Sequence, residues 1–170
     1  MRNIELKARL ADLPAARRVA LQLAAEPRGI LRQTDTYFHC RHGRLKLRET
    51  AGQPAQLVAY SRPDQPDSRG SDYQLVAVAD PAALKAALAE SLGVRGIVLK
   101  SRELYLLDNV RLHLDEVTGL GTFLEFEAVL GDGQYDTAGH AQLARLSQAF
   151  GLRSQDLLSN SYSDLAGLDP

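Results

Sequence analysis

Charged side chains of both signs recur at alternate positions along several segments of the sequence. The segment 4–10 reads IELKARL, which places Glu5, Lys7 and Arg9 on one face of a β-strand and apolar residues on the other. Further along, the polar faces carry Arg44, Lys46 and Arg48; Tyr60 and Arg62; Lys100 and Arg102; Arg111, His113 and Asp115; and Glu125 and Glu127. Gathered on one surface, these side chain types are suited to binding an anion together with a cation.

Clustered lysines and arginines suit phosphate groups, because one arginine can bind two phosphate oxygens at once. Carboxylates beside them would repel the ligand unless a cation stood between, and hard oxygen ligands select Mg²⁺ or Mn²⁺. Glu125 and Glu127 point the same way about 7 Å apart, which suits one metal ion or two neighbouring ones. We therefore predict a metal-assisted polyphosphate site. Its phosphate-binding candidates are Lys7, Arg9, Lys46, Arg48, Arg62, Lys100, Arg102 and Arg111, and its metal-ligand candidates are Glu5, Asp115, Glu125 and Glu127.

Eight strands and three helices are predicted to position these residues. Turn signals between several strands favour an antiparallel, mostly up-and-down sheet. The strands are predicted at 3–10, 34–40, 43–49, 56–62, 71–79, 97–107, 110–117 and 122–130, and the helices at about 12–25, 80–93 and 137–151. A short helical turn is expected around 155–158. The segment 62–70, RPDQPDSRG, has the composition of a flexible loop and is predicted to be a lid.

Two architectures fit this pattern. The first is an open sheet with helices on its apolar face and water on its charged face. The second, favoured by the repeated pattern, is an α+β fold: a closed eight-stranded antiparallel barrel with the helices packed outside and the charged faces lining the lumen. Unpaired charge in a lumen is costly. The barrel therefore requires acids and bases that balance each other, and a charged ligand that completes the balance.

The bulk composition bounds the class of protein. With 170 residues and 45% hydrophobic content, the chain suits a single domain spanning 1–170. A formal net charge of −1 argues against attraction of the whole surface to nucleic acid or to a membrane. Cys40 is the only cysteine, which excludes an internal disulfide. The sequence shows no leader and no apolar run of membrane length, so we expect a cytoplasmic protein. A homodimer is a possible assembly.

Several of these segments resemble the CYTH superfamily, which includes class IV adenylate cyclases, thiamine triphosphatases and inorganic triphosphatases. NIELKAR at 3–9 resembles its E-x-E-x-K signature, and GRLKLR at 43–48 its basic third strand. LKSRELY at 99–105 and VRLHLDEVTGLGTFLEFE at 110–127 resemble its later block, in which a basic strand leads to an L-D-x-V-x-G-L-G-x-F-x-E-x-E run. SYSDL at 161–165 resembles its C-terminal Ser-Tyr segment. The resemblance covers nearly the whole chain, and the block 114–127 is its specific part.

This resemblance implies a triphosphate tunnel, a barrel whose lumen binds a nucleotide or another triphosphate with Mg²⁺ or Mn²⁺. By motif position, Glu5 and Lys7 match the second Glu and the Lys of the signature. The implied catalytic residues are Glu5, Lys7 and Glu127. The implied phosphate-binding bases include Lys46, Arg48, Lys100, Arg102 and Arg111, and the implied metal-holding acids include Asp115, Glu125 and Glu127.

The sequence departs from the family pattern at two places. Asn3 stands where the signature has its first Glu; its amide offers a carbonyl oxygen but no charge, which should weaken one metal position. In YSRP at 60–63, the Lys that often precedes Gly-Pro in the family is missing. Either Arg62 substitutes from a shifted position, or Ser61 leaves that base absent.

Three functions stay open at this point, each with a triphosphate-containing small molecule as the partner. In the favoured one, a metal-held water attacks the terminal phosphoryl group, because nothing in the sequence specifies adenine recognition. In a cyclase, the ribose 3′-hydroxyl of ATP attacks the α-phosphate, forming cyclic AMP and releasing pyrophosphate. The third is a non-catalytic protein that binds polyphosphate or nucleotide, which Asn3 motivates.

Overall fold

The computed structural model describes residues 1–131, 133 and 135–167, and its eight strands close into a barrel. The strands are β1 (Arg2–Arg9), β2 (Glu26–Phe38), β3 (Arg44–Thr50), β4 (Ala55–Ser61), β5 (Arg69–Val78), β6 (Val94–Leu107), β7 (Val110–Val117) and β8 (Gly121–Val129). Neighbours around the barrel follow the order β1-β5-β4-β3-β2-β6-β7-β8, and every pair is antiparallel. The predicted closed barrel is confirmed, and the open sheet is wrong.

The alternation within each strand separates the lumen from the hydrophobic core. In β1, Ile4 and Leu6 are buried in a core outside the barrel, whereas Glu5 and Lys7 line the lumen. The pairing of β1 with β8 sets Glu5 opposite Glu127 and Lys7 opposite Glu125. The charged faces of separate segments therefore meet inside the barrel, because side chains of paired residues share one face of a sheet.

Three helices cover the outside of the barrel: α1 (Leu13–Gln22), α2 (Pro81–Leu92) and α3 (Asp136–Ala149). Asp12 and Asp80 cap α1 and α2 by accepting backbone hydrogen bonds of 2.8 and 3.0 Å. On α3, a Cβ at Gly139 would lie 2.5 Å from Cγ1 of Ile4, so glycine permits the close approach of this helix to β1. None of the described helices has the length and apolar composition needed to cross a membrane.

Several predicted boundaries are wrong, each for a local reason. Strand β2 begins eight residues earlier than predicted, because a bulge with Gly29 at φ +98° accommodates Pro27 within the strand. Helix α1 ends at Gln22 rather than near Ala25, since the chain turns into β2. Strand β5 begins at Arg69, inside the predicted loop. Gly70 belongs to this strand, and a Cβ there would lie 2.5 Å from a guanidinium nitrogen of Arg2.

The C-terminal segment closes one end of the barrel. A 3₁₀ turn (Ser154–Asp156) leads into a short helix, α4 (Tyr162–Leu165), and the Tyr162 ring packs with Phe123 at a centroid distance of 5.0 Å. The segment 62–68 lies at this same end, where Arg62 donates a 3.0 Å hydrogen bond to the carbonyl of Ser159. The predicted lid therefore packs against the closed end.

Candidate functional site

One cavity inside the barrel is lined by side chains from every strand. It brings together most of the predicted site residues. These are Glu5, Lys7, Lys46, Arg48, Arg62, Lys100, Arg102, Arg111, Glu125 and Glu127. Arg9 and Asp115 are not part of its described lining. Arg9 is exposed beyond the end of the lumen and lies over the Phe123 ring at 5.5 Å, because β1 ends at this residue.

The bases on β3 are held by a carboxylate that the sequence analysis missed, Asp35 on β2. Asp35 is fully buried and accepts hydrogen bonds of 2.8 Å from Nε and Nη2 of Arg48 and 3.0 Å from Nζ of Lys46. Burial opposes its ionisation, but the charges of Arg48 and Lys46 outweigh that effect and hold the pKa of Asp35 well below its usual range. Asp35 therefore fixes the side chains of Arg48 and Lys46, two of the phosphate-binding candidates.

Asp115 on β7 orients the bases of β6 in the same way. It is fully buried and accepts hydrogen bonds of 2.7 and 2.6 Å from Nε and Nη2 of Arg102. Burial opposes its ionisation, yet Arg102 and Lys100 keep the pKa of Asp115 below its ordinary value. Geometry thus places this predicted metal ligand behind the cavity wall, as a carboxylate that positions bases.

Lys100 lies between the two buried carboxylates. Its Nζ is 3.9 Å from Asp35 Oδ2 and 3.7 Å from Asp115 Oδ2, longer than the neighbouring ion pairs. Burial, followed by the positive charge of Arg102, lowers the pKa of Lys100 well below its usual range. An anion in the cavity would therefore relieve an electrostatic cost at this ammonium.

Arg62, one of the two possibilities that the sequence left open for this base, lines the cavity. Its side chain is 2% exposed and its Nε lies 3.1 Å from Oε1 of Glu5, whereas Ser61 is exposed. Arg69, assigned from sequence to the loop, donates a hydrogen bond of 3.2 Å to the same oxygen. Burial and the neighbouring charge of Glu125 raise the pKa of Glu5 against the opposing effect of these arginines.

A cluster of three donors on β7 and β8 could hold a metal ion. One ligand atom each from His113, Glu125 and Glu127 lies within 4.8 Å of the others. Nδ1 of His113 is 3.6 Å from Glu125 Oε2 and 3.9 Å from Glu127 Oε1, and it is buried with no hydrogen-bond partner in the described part of the chain. Burial and the charge of Arg102 lower the pKa of His113, which favours the neutral imidazole that a metal ion requires. The residues present therefore fit a divalent cation.

The charge balance of the barrel interior favours an anionic ligand. Glu125 is paired with Lys7 at 3.3 Å and with Arg102 at 2.6 Å, and its pKa stays well below the usual range because these charges outweigh the effect of burial. Among the described residues that line the cavity or are buried beside it, eight bases face five acids. The bases are Lys7, Lys46, Arg48, Arg62, Arg69, Lys100, Arg102 and Arg111, and the acids are Glu5, Asp35, Asp115, Glu125 and Glu127.

Comparison with known proteins identifies the family. A family model described as the CYTH domain matches residues 1–162. The chain belongs to the CYTH domain family. The match spans all eight strands of this CYTH barrel and extends into the C-terminal segment that closes it. A search among curated proteins gives no significant match.

Solved structures similar to this CYTH domain share its fold over almost their full length. A Pyrococcus horikoshii protein is 25% identical, with a TM-score of 0.85 over 96% of this chain and 98% of its own. A candidate adenylate cyclase from Vibrio parahaemolyticus is 19% identical, with a TM-score of 0.80 over 97% of each chain. A candidate adenylyl cyclase from Hippeastrum, described as having a dominant triphosphatase activity, is 18% identical, with a TM-score of 0.66 over 98% of this chain and 94% of its own.

Proposed function

We propose that this CYTH domain hydrolyses the terminal phosphate of a triphosphate in its lumen with the help of a divalent metal ion. The observation that carries the proposal is that bases oriented by buried carboxylates line the same cavity as Glu125 and Glu127, which form a possible metal-binding cluster with the buried His113. Phosphoryl transfer requires mainly positioning and charge neutralisation, which these groups supply. The described activity of the Hippeastrum relative supports the hydrolytic reaction.

The bases would bind the phosphate chain in the geometry that the buried carboxylates impose. Arg48 is fixed by Asp35 and Arg102 by Asp115, so little side chain entropy would be lost when phosphate binds. Lys7 lies 3.6 Å above the Tyr162 ring, which holds its ammonium in place toward the lumen. We assign these residues to neutralising the charge that develops on the transferred phosphoryl group.

Glu125, Glu127 and His113 would hold the metal ion, and Glu5 stands opposite Glu127 in the strand pairing. When bound, a divalent cation would supply charge neutralisation and Lewis acidity at the phosphate oxygens. Glu5, Lys7 and Glu127 are the proposed catalytic residues. Asp115 is assigned a positioning role, because Arg102 and Tyr162 occupy its carboxylate.

Product analysis with three substrates tests this function. The protein is incubated with Mg²⁺ or Mn²⁺ and ATP, tripolyphosphate or thiamine triphosphate, and the products are separated. Release of orthophosphate that Glu127→Gln abolishes is expected. Val76→Ser, on the outer face of the barrel, is the matched control and should keep full activity. Absence of orthophosphate with every substrate and metal would refute hydrolysis.

A cyclase is the second candidate, supported by the description of the Vibrio relative. The same bases would stabilise departing pyrophosphate, so the lumen residues fit either reaction. The products separate the two: cyclic AMP and pyrophosphate from ATP establish the cyclase, and orthophosphate without cyclic AMP excludes it.

A binding protein with little turnover is the third candidate, and Asn3 supports it. Asn3 is 4% exposed and lines the cavity at the position where the family signature has a Glu. If Asn3→Glu raises turnover from near zero, the native chain is a binding protein derived from an enzyme. Robust native turnover that Glu127→Gln removes would exclude this candidate.

A further inference from the structure

One wall of the lumen is mostly uncharged, which the proposed hydrolysis of phosphate does not explain. Apart from Arg62 after β4 and Arg69 at the start of β5, these two strands face the lumen with uncharged side chains. These are Gln56, Val58, Tyr60, Ser71, Tyr73 and Leu75. The remaining strands line the same cavity mostly with charged groups. The hydroxyl and amide groups of this wall could bind phosphate oxygens, but Val58 and Leu75 offer no hydrogen bond to a ligand consisting only of phosphate.

The centre of this wall is apolar. Val58 pairs with Leu75 in the β4–β5 register, and Tyr60 pairs with Tyr73, so these four side chains are neighbours on the inner face. Val58 is 7% exposed, but Leu75 is 39% exposed. The apolar clusters that stabilise the barrel include neither residue. An apolar surface left open beside charged groups indicates a binding role.

This wall adjoins the phosphate-binding candidates. In the β3–β4 register, Lys46 pairs with Val58 and Arg48 pairs with Gln56. Side chains paired in this way have Cβ atoms about 5 Å apart. A phosphate chain held by Lys46 and Arg48 would therefore place any group attached to it against Val58 and Leu75.

Asn3 offers a free hydrogen-bond acceptor beside this wall, which an organic group of the ligand could use. Its Oδ1 atom is buried and has no hydrogen-bond partner among the residues that the structure describes. Asn3 pairs with Ser71 across the β1–β5 register, beside the uncharged wall. An unpaired buried acceptor is costly unless a donor reaches it. An ionised inorganic tripolyphosphate carries no donor, whereas the hydroxyl or amino groups of an organic ester do.

We propose that the site selects organic triphosphates, whose organic group packs on Val58 and Leu75 and donates to Asn3, over inorganic tripolyphosphate. Val58, Leu75 and Asn3 are then specificity-determining residues. This inference rests on the proposed function, since it assigns the substrate class of the same site. It specifies an organic group of apolar or ring character and leaves the identity of that group to the experiment.

The test compares kcat/KM for ATP, thiamine triphosphate and tripolyphosphate in the native protein and in Leu75→Ser. The native protein should prefer at least one organic triphosphate to tripolyphosphate by tenfold or more. Leu75→Ser should lower kcat/KM for that ester about tenfold, which is typical of a lost apolar contact, and leave tripolyphosphate within about twofold. Val76→Ser removes the same kind of contact from the outer face of β5, where Val76 is 55% exposed, and should change neither value.

Two results would overturn the inference while leaving the hydrolytic function intact. One is a native kcat/KM for tripolyphosphate equal to or above that of both esters. The other is an equal loss with both substrate classes in Leu75→Ser, which would mean that Leu75 acts on phosphate binding or on folding. If no substrate turns over, the proposed function fails alone. Calorimetric dissociation constants for the same three ligands then decide the preference in the same way.

Discussion

Asp115 on β7 and Tyr162 on α4 are joined by a 2.7 Å hydrogen bond in the interior of the barrel. The bond connects the C-terminal segment to a carboxylate that also accepts two hydrogen bonds from Arg102. Burial and the charge of Asp115 raise the pKa of Tyr162 well above its usual range, so the hydroxyl remains a donor. Closure of the barrel end and orientation of a phosphate-binding base thus depend on one carboxylate.

Asp115→Asn should therefore destabilise the protein without removing a metal ligand. The change leaves Arg102 with less compensation in a buried position, and breaking such a pair costs about 3–5 kcal/mol in free energy of unfolding. Urea denaturation measures this loss, and titration with Mn²⁺ followed by electron paramagnetic resonance should give a dissociation constant within about threefold of native. Asp72→Asn, in an exposed pair with Arg2, should cost about 1 kcal/mol or less.

The Mn²⁺ titration of Glu125→Gln should give the opposite result to that of Asp115→Asn. Glu125 belongs to the donor cluster, so this variant should weaken Mn²⁺ binding by at least about tenfold. A weakening of tenfold or more in Asp115→Asn would return Asp115 to the metal-binding set, and an unchanged affinity in Glu125→Gln would remove Glu125 from it.

His113→Gln should change the preference of the site among metals. An imidazole nitrogen beside two carboxylates suits a transition metal better than Mg²⁺, which favours oxygen ligands. The variant should lose at least about tenfold in Mn²⁺ affinity and much less in Mg²⁺ affinity, so the ratio of the two dissociation constants moves toward one. Direct Mn²⁺ titration, with Mg²⁺ measured by competition, checks this. An unchanged ratio would place His113 outside the metal shell.

The sequence predicted the two faces of the barrel well, because the alternation of charged and apolar residues has the period of a strand. It could not predict which charges pair, since pairing depends on the register between distant strands. Asp35 lay within a predicted strand, between Thr34 and Thr36. This alternation indicated that Asp35 lies on the opposite face from the two threonines, but a single acid gave no reason to pair it with Arg48.

Arg69 illustrates a different limit of the sequence. Its segment contains two prolines, two aspartates and a glycine, which is a composition typical of a loop. The strand β5 nevertheless begins there, because the pairing of Glu5 with Arg69 extends the β1–β5 ladder. A long-range ion pair thus overrides local composition. His113 was recognised as a possible lumen residue, but its proximity to Glu125 and Glu127 depends on the pairing of β7 with β8.

Asp35→Asn should cause one of the larger stability losses available to a single substitution in this chain. It leaves Arg48 and Lys46 with an uncompensated charge in a buried site, so we expect a loss of about 3–5 kcal/mol at neutral pH. The folded-state pKa of Asp35 is depressed, so its contribution is present above the unfolded value of about 3.9 and is lost as the pH falls through the folded value.

Urea denaturation of native protein and Asp35→Asn at several pH values measures this contribution. The difference in free energy of unfolding should be largest near pH 7 and should shrink as the pH falls below about 4. A difference that stays constant down to the acid transition would show that Asp35 contributes through packing rather than through charge.

Triphosphate binding should take up a proton at Lys100. In the free protein, burial and Arg102 hold the pKa of Lys100 well below its usual range, whereas bound phosphate would bring a negative charge that raises it. Between the two pKa values, binding is accompanied by protonation, so affinity should fall as the pH rises. Calorimetric titration with metal-free tripolyphosphate at mildly alkaline pH, in two buffers of different ionisation enthalpy, measures the proton uptake. Lys100→Met should reduce the uptake, whereas Lys85→Met, on the outer helix α2, should not; equal uptake in all three proteins would assign the proton to another group or to the ligand.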